Sequence, residues 1–150
     1  MSDNTQSETA MTADSIPRKR LLLADDHAEM LEELRALLDA DYEIVGAVGN
    51  GQKLVEAAKS LKPDLIISDI SMPVMTGFEA AAKIREWGIS TKIIFLTVQS
   101  SSAYLKKARA LGADGYVLKV YTNEQLPMAI SSVLTGTPYF SPQLRAGRDN

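Results

Sequence analysis

Side chains that could carry out chemistry lie where short apolar runs of this sequence end. They are three carboxylates, one hydroxyl and one ammonium: Asp25, Asp26, Asp69, Thr97 and Lys119. If the apolar runs are neighbouring parallel strands, all of these groups meet at the carboxyl edge of one sheet, where open α/β sheets bind ligands. Carboxylate oxygens suit a hard cation, and an ammonium and a hydroxyl suit a phosphoryl group. The set therefore indicates a site for both.

The elements that must position these groups can be identified from the apolar pattern. Short runs typical of buried strands occur at residues 21–24, 43–48, 64–69, 92–97 and 115–119. Between them, apolar residues recur at spacings of three and four, which is typical of helices that bury one face. Strands that alternate with helices predict an α/β fold, with a parallel sheet covered on both faces.

The composition sets limits on the class of protein. The chain has 150 residues, 45% of them hydrophobic and 23% charged, with a net charge of −3, so it can form one domain with a core. The charge gives no indication of nucleic-acid binding by the chain itself. Cysteine is absent, which excludes disulfides and thiolate chemistry. The apolar runs are too short for a membrane span or a signal peptide, so the cytoplasm is the expected location.

Several motifs carry a resemblance to a known family. They are residues 21–27, ending in Asp25-Asp26-His27, residues 69–77, residues 96–97, and residues 112–119, ending in Lys119. In order, spacing and strand context the chain resembles the receiver domain of two-component response regulators. The last motif, together with residues 136–141, is most similar to receivers that precede a LuxR-type helix-turn-helix.

The resemblance implies a flavodoxin-like, doubly wound parallel sheet of five strands in the order 2-1-3-4-5, with helices on both faces. We expect a receiver domain over residues 19–136. The polar residues 1–18 are predicted to be a disordered N-terminal tail. Residues 137–150 are predicted to be a C-terminal tail or linker remnant.

The resemblance also assigns roles to residues. Asp69 is expected to be the phosphorylated nucleophile, with Thr97 and Lys119 as the other catalytic residues. A Mg²⁺ cofactor is expected on Asp25, Asp26, Asp69 and the backbone carbonyl of Ser71. Thr97 and Tyr116 occupy the positions of the family's switch residues. The expected function is a phosphorylation-dependent signalling switch, not an enzyme with its own small-molecule turnover.

The implied partners are a sensor histidine kinase or phosphotransfer protein, and a second copy in a homodimer. Nucleic acid is expected only through an effector domain absent from this chain, and no membrane is expected. Because few residues follow Pro138, the chain is expected to be either a stand-alone receiver or a receiver whose output domain was removed. The alternative functions are the excised receiver of a DNA-binding transcriptional regulator and a stand-alone interaction module.

Other interpretations of the same residues predict different features. A flavodoxin-like nucleotide binder needs a Gly/Ser/Thr-rich loop after the first strand, where this chain has Asp25 and Asp26. Aspartate-nucleophile phosphatases typically carry a second acid two residues after the nucleophile, where this chain has Ser71. A pseudo-receiver used only for protein contacts usually lacks the acidic residues. Asp26 alone could cap a helix, and His27 is interpreted as a surface residue rather than a ligand.

The residue directly after Thr97 departs from the family pattern. Val98 stands where receivers often have a smaller residue, and Gln99 is uncharged. Water must approach an acyl phosphate in line with the bond that breaks. Both residues therefore predict a slow loss of the phosphoryl group.

Overall fold

The computed structural model of this chain describes residues 17–147. The predicted N-terminal tail therefore lies outside the described residues, apart from its last two positions. The strands are β1 (Arg20–Ala24), β2 (Glu43–Val48), β3 (Leu65–Ser68), β4 (Lys92–Thr97), β5 (Gly115–Leu118) and β6 (Tyr139–Phe140). The helices are α1 (Ala28–Leu38), α2 (Gly51–Leu61), α3 (Gly77–Glu86), α4 (Ser102–Ala110), α5 (Thr122–Leu134) and α6 (Pro142–Gly147), with a 3₁₀ turn over Lys119–Tyr121.

All strands pair in parallel, in the order β2-β1-β3-β4-β5-β6. The prediction of an α/β parallel sheet is confirmed, and the order of its first five strands is as expected. The predicted number of five strands is wrong, because Tyr139 and Phe140 add a sixth strand beside β5. This strand lies beyond residue 136, the predicted end of the receiver domain.

The sheet separates two apolar layers, because successive strand side chains point to opposite faces. One layer joins Leu22, Ile66 and Phe95 to buried residues of α2, α3 and α4. The other joins Leu23 and Ile67 to buried residues of α1 and α5. Helices therefore cover both faces, as in a doubly wound fold.

Side-chain caps fix where three of the helices begin. Asn50 caps α2 by accepting the Lys53 N–H, and Ser101 caps α4. At the start of α3, Thr76 and Glu79 form a reciprocal capping box, which satisfies two backbone donors at once. Each of these three helices is the next helix after a strand, so its cap also fixes the end of a loop at the carboxyl edge of the sheet.

Candidate functional site

The first and third strands bring two carboxylates together at the carboxyl edge of the sheet. Asp25 follows β1 and Asp69 follows β3, and these strands are neighbours. The Asp69 N–H donates to the Ala24 carbonyl at 2.9 Å, and the Asp25 N–H donates to the Val48 carbonyl at 3.0 Å. The backbone ladder thus continues into the site, and it holds both aspartates in register.

The acidic residues form one compact group. Ligand atoms of Asp25, Asp26, His27 and Asp69 all lie within 4.8 Å of one another. Asp25 is 2% exposed and Asp69 is 6% exposed, whereas Asp26 is solvent-accessible. Carboxylates this close repel one another unless a cation lies among them. Oxygen donors in this arrangement fit a hard divalent cation.

Lys119 supplies the counter-charge to the two buried carboxylates. Its Nζ lies 2.7 Å from Asp25 Oδ2 and 2.9 Å from Asp69 Oδ2. Burial lowers the pKa of the Lys119 ammonium, but the hydrogen bonds to Asp25 and Asp69 and the charges of these carboxylates together outweigh burial and leave the pKa raised. One charged side chain therefore spans both acids.

The second oxygen of Asp69 is fixed by the loop that follows it. Asp69 Oδ1 accepts the Ile70 N–H at 2.6 Å, and the Gly77 N–H donates to the Ile70 carbonyl at 2.7 Å. A Cβ at Gly77 would collide with the carbonyl oxygen of Asp69. Glycine at this position therefore lets the start of α3 pack directly against the acidic site.

Thr97 and Tyr116 are linked through the backbone of Gln99. Thr97, fully buried at the end of β4, accepts the Gln99 N–H on its Oγ1 at 3.2 Å. The Tyr116 ring is also fully buried, and its hydroxyl donates to the Gln99 carbonyl at 2.6 Å. Burial, followed by the charges of Tyr104 and Asp69, raises the pKa of Tyr116. The backbone N–H and carbonyl of one residue, Gln99, thus connect the two predicted switch residues.

The remaining predicted ligands lie in the surrounding loops. Ser71 is exposed in the loop that connects β3 to α3. The residue that precedes α1 is His27, and it makes no side-chain cap. Asp26 therefore does not serve as the helix cap that was one interpretation of it.

His27 contacts the acidic group although its sequence position indicated a surface residue. It is 70% exposed, yet its Nδ1 lies 3.1 Å from Asp25 Oδ1 and 3.2 Å from Asp26 Oδ1. Asp25 Oδ1 also accepts the His27 N–H at 2.9 Å. The position of His27 directly after two aspartates was the signal in the sequence for this contact. The roles of Gln99 and of the C-terminal residues had no comparable signal in the sequence.

Comparisons with known proteins show what this chain resembles. The family model for the response regulator receiver domain matches residues 21–131. The chemotaxis protein CheY of Halobacterium salinarum is 39% identical over 117 residues, which cover 78% of this chain and 98% of that protein. The nitrate/nitrite response regulator NarL of Escherichia coli strain K12 is 36% identical over 138 residues, 85% of this chain and 64% of NarL.

The Bacillus subtilis transcriptional regulatory protein DesR is 38% identical over 126 residues, 83% of this chain and 62% of DesR. The chain thus spans less than two thirds of the length of these two regulators. A crystal structure of a LuxR-family response regulator from Aurantimonas sp. SI85-9A1 superposes with a TM-score of 0.82 at 30% identity. That match covers 86% of this chain and 94% of the other.

Proposed function

The chain belongs to the response regulator receiver domain family, whose members are phosphorylation-dependent signalling switches, and we propose that Asp69 is its phosphoacceptor. The observation that carries the proposal is the placement of Lys119 Nζ, 2.9 Å from Asp69 Oδ2 and 2.7 Å from Asp25 Oδ2. A buried carboxylate can accept a phosphoryl group. A cation at hydrogen-bond distance can then neutralise the negative charge of that group.

The chemical step is a transfer from a phosphohistidine. An Asp69 oxygen forms a bond to phosphorus while the phosphorus–nitrogen bond of the donor breaks, and the electron pair of that bond stays on the imidazole nitrogen. The Ile70 N–H keeps Asp69 Oδ1 oriented. Lys119 then faces the oxygens of the transferred group, so its charge stabilises the acyl phosphate.

A divalent cation completes the site in this proposal. Asp25, Asp26 and Asp69 have carboxylate oxygens close enough to share one ion, and the Ser71 carbonyl would be a further ligand. Bound Mg²⁺ neutralises carboxylate and phosphoryl charge during transfer. Chelation with EDTA is expected to abolish labelling, and Asp26→Ala is expected to weaken Mg²⁺ binding in a calorimetric titration.

The switch is proposed to run through Thr97 and Tyr116. The Thr97 hydroxyl accepts from Gln99, so its own proton can be donated to a phosphoryl oxygen. A movement of Thr97 toward that oxygen would displace the backbone of Gln99, whose carbonyl accepts the Tyr116 hydroxyl. Because Tyr116 is fully buried, a movement of its ring would shift its neighbours in the region formed by α4, β5 and α5.

The proposed partner in transfer is a sensor histidine kinase or a phosphotransfer protein in the cytoplasm. A homodimer is also proposed, since one structural relative is described as RcsB dimers bound to DNA. Contact with DNA is proposed only through an effector domain. Within residues 17–147, no helix combines the length and the apolar character that a bilayer span requires.

Intact-mass spectrometry after incubation with acetyl phosphate and Mg²⁺ tests the proposed function. The wild type should gain the mass of one phosphoryl group, and Asp69→Asn should gain none, because an amide is a poor nucleophile. Asp114→Asn is a matched control in which the altered carboxyl binds Arg85 and the Ile93 N–H, away from the site. Full labelling of Asp69→Asn would rule out Asp69 as the acceptor.

A further inference from the structure

Residues 139–144, called the C-terminal segment below, are built onto the strand that carries Tyr116. Tyr139 lies opposite Gly115 and Phe140 lies opposite Tyr116 in the parallel pairing of β6 with β5. The Ser141 N–H then donates to the Tyr116 carbonyl at 2.8 Å. The main chain of the proposed switch residue is therefore bonded to this segment.

The Ser141 hydroxyl connects the segment to the strand end from which Lys119 emerges. Ser141 is fully buried, and its Oγ accepts the Leu118 N–H at 3.0 Å. The same hydroxyl donates to Gln125 Oε1 of α5 at 2.6 Å. Since Leu118 directly precedes Lys119, the hydroxyl helps to fix where the Lys119 side chain begins.

Apolar and cationic contacts attach the rest of the segment to the same side of the molecule. Phe140 is 8% exposed and belongs to the apolar layer that contains Tyr116. The Arg109 guanidinium of α4 lies 4.0 Å from the centroid of the Phe140 ring, a cation–π contact. Leu144 is 4% exposed in the same layer. The segment thus contacts α4, β5 and α5 together.

We propose that the C-terminal segment takes part in the switch. Ser141 is then a positioning residue, and its hydrogen bonds couple the docking of the segment to phosphorylation at Asp69. This inference rests on the proposed function of Asp69. In the docked arrangement Lys119 lies 2.9 Å from Asp69 and the Tyr116 ring is buried. Undocking releases the Leu118 N–H and the Tyr116 carbonyl from their partners, which loosens both residues.

The coupling has a definite sign. Docking favours the arrangement that can stabilise a phosphoryl group, so it increases phosphoryl acceptance. Because linkage between two sites is reciprocal, phosphorylation must in turn stabilise docking of the segment. Coupling free energies between such sites typically change an equilibrium by about fivefold or more.

Amide hydrogen exchange measured with and without beryllofluoride and Mg²⁺ tests whether a phosphoryl-like group on Asp69 stabilises docking of the segment. In the wild type, the amides of the C-terminal segment and of Leu118 should exchange at least about fivefold more slowly when beryllofluoride is bound. Exchange in this segment that beryllofluoride leaves unchanged, while amides around Asp69 respond, would overturn the inference.

The apparent dissociation constant for beryllofluoride, measured in the presence of Mg²⁺, tests the reciprocal effect, because reciprocity holds for binding free energies. Ser141→Ala should raise that constant by about fivefold, whereas Ser131→Ala, at an exposed position of α5, should leave it unchanged. Gln143→Ala, which removes the acceptor of the Gln125 amide, is a milder variant if Ser141→Ala does not fold. Equal dissociation constants in the wild type and all of these variants, with the wild type labelled by acetyl phosphate, would overturn the inference alone. An unlabelled wild type would overturn the proposed function, and the inference with it.

Discussion

At the scale of single residues, the charge balance of the site depends on one ammonium that pairs with two carboxylates. Lys119 spans Asp25 and Asp69 at 2.7 and 2.9 Å, so one ammonium serves two buried carboxylates. A phosphoryl group on Asp69 adds negative charge at the same point. The account therefore requires a cation among Asp25, Asp26 and Asp69 before transfer.

Val98 is predicted to slow the loss of the phosphoryl group. It follows Thr97 directly and is 72% exposed, so its branched side chain can restrict the in-line approach of water. Val98→Ala should speed the decay of labelled protein at least about twofold, which corresponds to ~0.4 kcal/mol in the barrier. Met128→Ala, which removes an exposed apolar side chain from α5, is the control. A decay rate that is unchanged or slower in Val98→Ala would contradict the steric role.

Tyr116 is predicted to make the stability of the fold sensitive to alkaline pH. Burial, then Tyr104 and Asp69, raises the pKa of this phenol above its ordinary value of 10.0. The unfolded chain loses this proton near pH 10 while the folded chain keeps it. The contribution of Tyr116 to stability is therefore complete below about pH 10 and is lost as the pH rises through the raised folded pKa.

Urea unfolding of the wild type and Tyr116→Phe at about pH 8 and about pH 11 measures this effect. At the lower pH the variant should be less stable by ~1 kcal/mol, because it lacks the hydrogen bond to Gln99. Between the two pH values the wild type should lose more free energy of unfolding than the variant. Identical losses in the two proteins would contradict the raised pKa.

Sequence reasoning identified the charged groups of the site better than it identified their hydrogen bonds. Asp25, Asp69 and Lys119 could be predicted to meet because each follows a recognisable strand. The contacts of the Gln99 backbone with Thr97 and Tyr116 could not be predicted, because they depend on the path of a loop and not on residue type. The contact of His27 with Asp26 was also missed, although the position of His27 directly after two aspartates was a signal in the sequence.

At the scale of elements, the loop between β3 and α3 holds a strained residue. Val74 has a φ of 71°, a left-handed conformation that is unfavourable for a β-branched residue. Its side chain is 81% exposed, so little burial offsets the strain. The Thr76–Glu79 capping box and the packing of Gly77 against Asp69 fix the loop on its far side.

Val74→Gly is therefore predicted to raise the free energy of unfolding by up to ~1 kcal/mol, because relief of a left-handed strain of ~1–2 kcal/mol exceeds the entropic cost of glycine. Val98→Gly is the matched control, since Val98 is also an exposed loop valine but is not among the described residues with positive φ. That substitution should lower stability by ~0.5–1 kcal/mol. Denaturant unfolding distinguishes the two, and a Val74→Gly protein no more stable than the wild type would contradict the strain.

The sixth strand shows where prediction of elements from sequence fails. Tyr139 and Phe140 form a strand of only 2 residues, which is too short for a period to be recognised. Its existence depends on pairing with β5 and on the Ser141 hydroxyl, both of which are contacts between distant parts of the chain. The longer strands were predictable because continuous apolar runs between helical patterns are typical of parallel sheets.

At the scale of the whole molecule, the proposed phosphorylation site and the proposed switch residue Tyr116 lie in adjoining regions of the sheet. The acidic group lies at the carboxyl edge of β1 and β3, and Tyr116 lies on β5. Both sheet faces are covered by helices, so the carboxyl edge is where a partner's phosphohistidine can reach Asp69. The central claim of the account is therefore that transfer occurs at this one carboxylate.

Chemical mapping of the acyl phosphate tests that claim most directly. The protein is labelled with acetyl phosphate and Mg²⁺ and then reduced with borohydride, which converts a phosphorylated aspartate into homoserine. Peptide mass spectrometry then locates the homoserine. Homoserine is expected at position 69 in the wild type, and none is expected in a sample incubated with acetyl phosphate in the presence of EDTA. Homoserine at position 25 or 26, or labelling with none at position 69, would contradict it.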